Sequence, residues 1–81
     1  MKTFIATFYS HFGAIHFSKL CENRGIEAKM MPVPRKLSSS CGTCVRFYYD
    51  EPMMDIIDSD EVEQLVECKE ETYIKIYPLN D

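Results

Sequence analysis

What the chain lacks narrows its function first. None of its 81 residues belong to an apolar run approaching the ~18 needed to cross a bilayer. The opening Met1-Lys2-Thr3-Phe4-Ile5-Ala6-Thr7 has too short an apolar stretch for a signal peptide and no small-residue cleavage site. A cytoplasmic location is therefore expected, where thiols stay reduced. The nine Lys and Arg are scattered and the net charge is −4. Nucleic acid and anionic membrane surfaces both recruit clustered cations, so neither is expected as a partner. Low-complexity tracts and internal repeats are missing too. The chain has no Gly-rich phosphate loop, serine-hydrolase elbow, HExxH helix or calcium-loop spacing, and so no motif calls for a cofactor.

What is present fits one folded domain over residues 1–81, with 46% hydrophobic and 27% charged residues. So small a core often gains stability from disulfides, metals or self-association, and a homodimer stays open. Lys2 to Tyr9 alternates with Phe4, Ala6 and Phe8 on one face, which predicts a strand. Ser10 suits a helix N-cap, Ala14, Phe17, Leu20 and Cys21 share a helical face, and Asn23-Arg24-Gly25 closes the helix. Ile26 to Met30 alternates as a second strand, Pro32 and Pro34 stop regular pairing, and Val45 to Tyr49 forms a third.

Pro52 is placed to open a helical turn with Met53, Ile56 and Ile57, and Asp58 with Glu61 resembles a fresh cap. Val62, Leu65 and Val66 then continue an apolar helical stripe to about Lys69. Tyr73 to Tyr77 is a last strand, ended by Pro78 before a frayed tail. The order is β-α-β-β-α-β. It predicts an α+β, ferredoxin-like layout: a four-stranded antiparallel sheet with two helices on one face. In it the Tyr9-Ser10-His11 turn and the Pro32–Cys44 loop leave the same edge of the sheet, and Cys68 returns to that side.

The chemistry-bearing motif is Cys41-Gly42-Thr43-Cys44, a Cys-x-x-Cys pair within Ser38-Ser39-Ser40-Cys41-Gly42-Thr43-Cys44. Such spacing serves thiol–disulfide exchange, zinc binding or a carrier sulfur. Zinc is only half supplied: Cys21 lies on an apolar helix face and Cys68 stands alone, so no metal site is assigned, although His11 or a second copy could add ligands. A thioredoxin-like pair opens a helix, whereas this one runs into a strand. Activation of Cys41 would then come from the first helix's N-terminus, Arg35 or His11, with Ser40 and Gly42 shaping the loop. Cys21 reads as a small core hydrophobe, Cys68 as packing or surface, and His16 as solvent-facing. The acidic residues from Asp50 to Glu71 read as a solvated face.

Taken together, Thr7-Phe8-Tyr9-Ser10, Gly25-Ile26, Pro32-Val33-Pro34-Arg35, Ser38 to Gly42 and Val45-Arg46-Phe47 give the chain a resemblance to a small bacterial family of selenium/sulfur (Se/S) carrier-like domains of unknown function. The resemblance runs from about Thr3 to Tyr49. It implies a carrier rather than a turnover enzyme, with Cys41 holding a persulfide or selenosulfide and with Arg35 and Gly42 in the same motif. Its partners would be a sulfur or selenium donor enzyme and an acceptor protein. Cys44 departs from the pattern, standing where an apolar residue is expected. A second thiol so near could collapse a persulfide into a disulfide. Two other readings stand beside the carrier: a redox protein that closes a Cys41–Cys44 disulfide, and a non-enzymatic interaction domain that uses an exposed sheet edge.

Overall fold

From Phe4 to Phe8 every residue of β1 (Lys2–Phe8) is buried, odd and even positions alike. A strand sealed on both faces must lie inside its sheet with a cover on each side. The sheet order is β2-β3-β1-β4-β5, with every neighbouring pair antiparallel. The other elements are α1 (His11–Asn23), β2 (Ala28–Pro32), β3 (Thr43–Tyr49), a short 3₁₀ turn (Met54–Ile56), β4 (Val62–Lys69) and β5 (Thr72–Tyr77). This computed structural model describes residues 1–52 and 54–78, apart from the side chain of Ile56. The expected roles of Met53 and of the Ile56 side chain, and the frayed tail at 79–81, fall outside the described residues. Among those described, no helix is long and apolar enough to cross a membrane.

The first helix forms as its sequence requires. Ser10 is extended (φ −143°, ψ 162°), and its hydroxyl accepts from the Gly13 amide at 3.4 Å. Ala14, Phe17 and Cys21 are buried against the sheet. Gly25 takes a φ of +73° just past the helix, and Ile26 N donates to the Cys21 carbonyl at 2.9 Å while Gly25 N donates to Glu22 at 3.0 Å. That pair of bonds is the Schellman closure, and it needs a residue free to adopt the left-handed region.

The second helix does not form, so the layout has one helix and a five-stranded sheet. Val62, Leu65 and Val66 have helix-like spacing because β4 contains a bulge. Thr7 pairs with Gln64 but Phe8 pairs with Val62, leaving Glu63 as the extra residue. The bulge puts Val62 and Leu65 on one face and Val66 on the other, a pattern that a straight strand would not produce. The turn to β5 was equally concealed. Glu70 and Glu71 have φ of 38° and 68°, both in the left-handed region, at a two-residue hairpin turn that usually takes Asn or Gly. β2 also extends through Pro32, which pairs with Thr43; as β2 is an edge strand, the missing proline N–H costs the sheet nothing on that side.

Two cores result. Phe4, Phe8, Val45, Phe47, Val62 and Leu65 pack beneath α1 on what we call the helix face. Ile5, Cys44 and Val66 form a smaller cluster on the opposite face, packed under Val33 and Leu37 of the Pro32–Cys44 loop. We call this the loop face. Cys68 lies there, opposite Thr3, at the far end of β1 from the Thr7–Cys44 pair. The expected return of Cys68 to the Cys41 side is thereby corrected: it followed from a helix where the chain has a strand.

Candidate functional site

The segment that carries Cys41 is tied down at each serine. The Ser39 hydroxyl donates to the Phe8 carbonyl at 3.2 Å, where β1 ends. The Ser40 amide and hydroxyl both reach the Glu63 carboxylate, at 3.1 and 2.9 Å. Gln64 Nε2 donates to the Ser38 carbonyl at 2.9 Å. Glu63 and Gln64 are the residues of the β4 bulge, so the irregularity that re-aims the strand also supplies the clamp. The loop is closed at its base by Val33 N donating to the Gly42 carbonyl at 3.1 Å. Gly42 has a φ of +75°, a conformation that suits glycine and strains other residues.

Within this frame Cys41 is half-buried. Its thiol donates to the Thr43 carbonyl at 3.4 Å and lies 4.0 Å from the Ser39 hydroxyl. The side chain packs against the edge of the helix-face core. His11, the first residue of α1, brings Nδ1 to 3.4 Å from the Thr43 hydroxyl. The Tyr9-Ser10-His11 turn and the Cys41 loop therefore meet at one end of the sheet, as the parallel course of β1 and β2 requires.

Cys44 is three positions away and in a different environment. It is fully buried in the loop-face cluster, and its thiol donates to the Pro32 carbonyl at 3.6 Å. Burial chiefly pushes its pKa up to about 11. Strand alternation sends Cys44 to the loop face while Cys41, still in the loop, reaches the helix-face core. Cys21 is sealed under α1 and is likewise pushed up to about 11 by burial. Cys68 is half-buried, and its thiol is raised chiefly by burial.

Among the described residues, no hydrogen bond or ion pair joins Arg35 to Cys41; Arg35 lines a cavity on the loop face instead. Ser40 is engaged with Glu63. Arg35 had been expected to activate Cys41, and Ser40 to shape the loop. Glu63 and Gln64 were missed altogether, because a helical reading of β4 gave them no reason to face the loop. Tyr9 and Phe12 were also missed: they are 52% and 80% exposed in the same turn as His11, large for residues left in water. His16 is exposed, as expected, and pairs with Glu61 at 2.8 Å. No group of three or more His, Cys, Asp or Glu among the described residues is arranged to hold a metal ion.

The family described as Putative Se/S carrier protein-like matches residues 3–78. The match runs well beyond Tyr49, through β4 and β5, where the sequence pattern had given no sign of it. No curated protein and no solved structure matches the chain.

Proposed function

The chain belongs to the Putative Se/S carrier protein-like family, and on that premise we propose that it carries sulfur or selenium on Cys41. The observation that carries the reading is the contrast among the thiols. Cys41 alone sits in a clamped loop at the sheet end, whereas Cys21 and Cys44 are sealed and Cys68 lies on the loop face. A carrier needs one accessible nucleophilic sulfur held in a fixed place.

In the proposed step the Cys41 thiol first gives up its proton. The thiolate then attacks the outer sulfur of a donor enzyme's persulfide. A bond forms between Cys41 Sγ and that sulfur, the donor's own S–S bond breaks, and the donor cysteine leaves as a thiolate that takes up a proton. An acceptor protein then removes the outer atom by the same exchange. The selenium version replaces the transferred atom and leaves the electron count unchanged. Deprotonation frees the Thr43 carbonyl from its thiol partner, and nearby Ser39 can turn its hydroxyl to the anion. Tyr9 and Phe12 offer an apolar contact to the donor or acceptor at the rim of the site. A reducing compartment such as the cytoplasm suits a thiol that must stay free.

The burial of Cys44 bears on the redox alternative. A resolving thiol must reach its partner as a thiolate, and this one is enclosed and held protonated to about pH 11. The test is transfer of labelled sulfur from cysteine through a cysteine desulfurase. Parent and Cys44→Ser should become labelled, and Cys41→Ser should not. Equal loss in the two variants would overturn the carrier reading.

A further inference from the structure

The loop face holds a cavity of about 570 Å³, within the size range of small-ligand sites. Its walls carry Arg35, Lys36, Arg46 and Lys69, four of the chain's nine basic residues, against the carboxylates Glu70 and Glu71. A local excess of positive charge in a chain of net charge −4 needs a reason. Both glutamates are exposed at the hairpin turn, and Lys36 Nζ bonds the Glu71 backbone carbonyl at 3.3 Å instead of a carboxylate. Lys69 is paired with Glu67 at 3.9 Å, but among the described residues no ion pair joins Arg35, Lys36 or Arg46 to an acid.

Arg46 is the sharpest of these features. It stands in β3 opposite Ile5 of the central strand, and its Nε is buried without a hydrogen-bond partner among the described residues. The guanidinium carbon lies 5.9 Å from the Tyr48 ring centroid, a cation–π contact that gives Nε no hydrogen-bond acceptor. A buried donor on a permanent cation is costly to leave unmet, and native proteins rarely do so. Cys68 shares the cavity wall, and its thiol, raised by burial, stays neutral and does not oppose an anion. Ile5, Met31 and Tyr73 add apolar wall that limits water around the cations.

We infer that this cavity is a binding site for a small oxyanion, held by Arg46 from the sheet and by Arg35 and Lys36 from the overhanging loop. The site is separate from Cys41, which does not line the cavity. Its ligand is a tetrahedral oxyanion, whether free phosphate or a sulfur oxyanion such as thiosulfate.

The test is an NMR titration of the full chain with inorganic phosphate and, separately, with thiosulfate, both at constant ionic strength. Saturable shifts of the Arg46 Nε–H and of the Lys36 and Thr72 amides are expected, with one ligand per chain. The stronger of the two anions identifies the source. Arg46→Gln should weaken binding about tenfold, the loss of one charged hydrogen-bond partner. Cys41→Ser should leave it unchanged. If Arg46→Gln fails to fold, Lys36→Gln, at an exposed loop position, decides in its place with a severalfold loss. Shifts that stay linear in anion, that centre on Ser38 to Thr43, or that persist unaltered in the variants would overturn the inference.

Discussion

Beneath α1 the sheet is packed with phenylalanine, whereas beneath the Pro32–Cys44 loop it carries thiols, a threonine and an arginine. On the helix face, the Phe4, Phe8, Phe17 and Phe47 rings stack or tilt with centroids 5.2 to 5.5 Å apart. Every large buried group there is apolar. On the loop face, Thr7 Oγ1 and Arg46 Nε are buried without partners among the described residues, and a cavity remains. One strand, β1, contributes to both faces at alternate positions. The comparison teaches that this small domain places its stability under the helix and leaves the other face, with the loop that leads to Cys41, free to differ.

The largest effect should come from damaging the helix face. Phe47→Ala removes a ring that contacts both Phe4 and Phe17, and a large-to-small change of this kind costs about 3–5 kcal/mol. Against a total stability of roughly 5–15 kcal/mol for a domain, urea melts should show a protein near the edge of unfolding. A loss below about 1 kcal/mol would erase the contrast between the faces.

Gly42→Ala comes next. At φ +75° a Cβ costs about 1–2 kcal/mol, although no atom stands within 4 Å of the added carbon. The strain lies in the loop, so sulfur loading should fall by more than the melting temperature alone would suggest. Glu63→Gln should have a smaller effect, about 1 kcal/mol, by weakening the grip on Ser40. Faster hydrogen exchange confined to Ser38 to Gly42 would report it; uniform exchange along the chain would mean that the clamp is not local.

A last effect appears only at high pH. Cys21 and Cys44 are raised from 9.0 to about 11 in the folded protein. Above the lower value the unfolded chain releases thiol protons that the folded chain keeps. The folded state then binds more protons, so stability falls as pH rises from 9.0 to about 11. The urea midpoint should drop across that window, and less steeply in Cys44→Ala. An unchanged slope would show that Cys44 is not held protonated by burial.

The first half of the fold was legible because its signals are local. Ser10 caps, Gly25 turns, and Phe4, Phe8, Phe17 and Cys21 fall on their faces by simple periodicity. In the second half only the short helical turn near Pro52 and the last strand, Tyr73 to Tyr77, were legible. A single bulge at Glu63 shifted the alternation of β4 into helical spacing, and the Glu70-Glu71 turn lacks the glycine or asparagine that would have punctuated it. At the site, the loop and Cys41 could be read from the Cys-x-x-Cys and serine run. Arg35 was linked to Cys41 as a cation of the same motif, whereas the loop's path across the sheet carries it to the loop-face cavity. Glu63 and Gln64 were out of reach for the same reason that β4 was.

The central claim is that Cys41 is the atom that carries the cargo. Intact mass spectrometry of the reduced protein after incubation with a cysteine desulfurase and cysteine, then with selenocysteine, tests it most directly. The expected result is an added mass of one sulfur or one selenium atom, mapped to the peptide containing Cys41 and retained in Cys44→Ser. No added mass, with a loss of two hydrogens mapped to a Cys41–Cys44 disulfide, would contradict it.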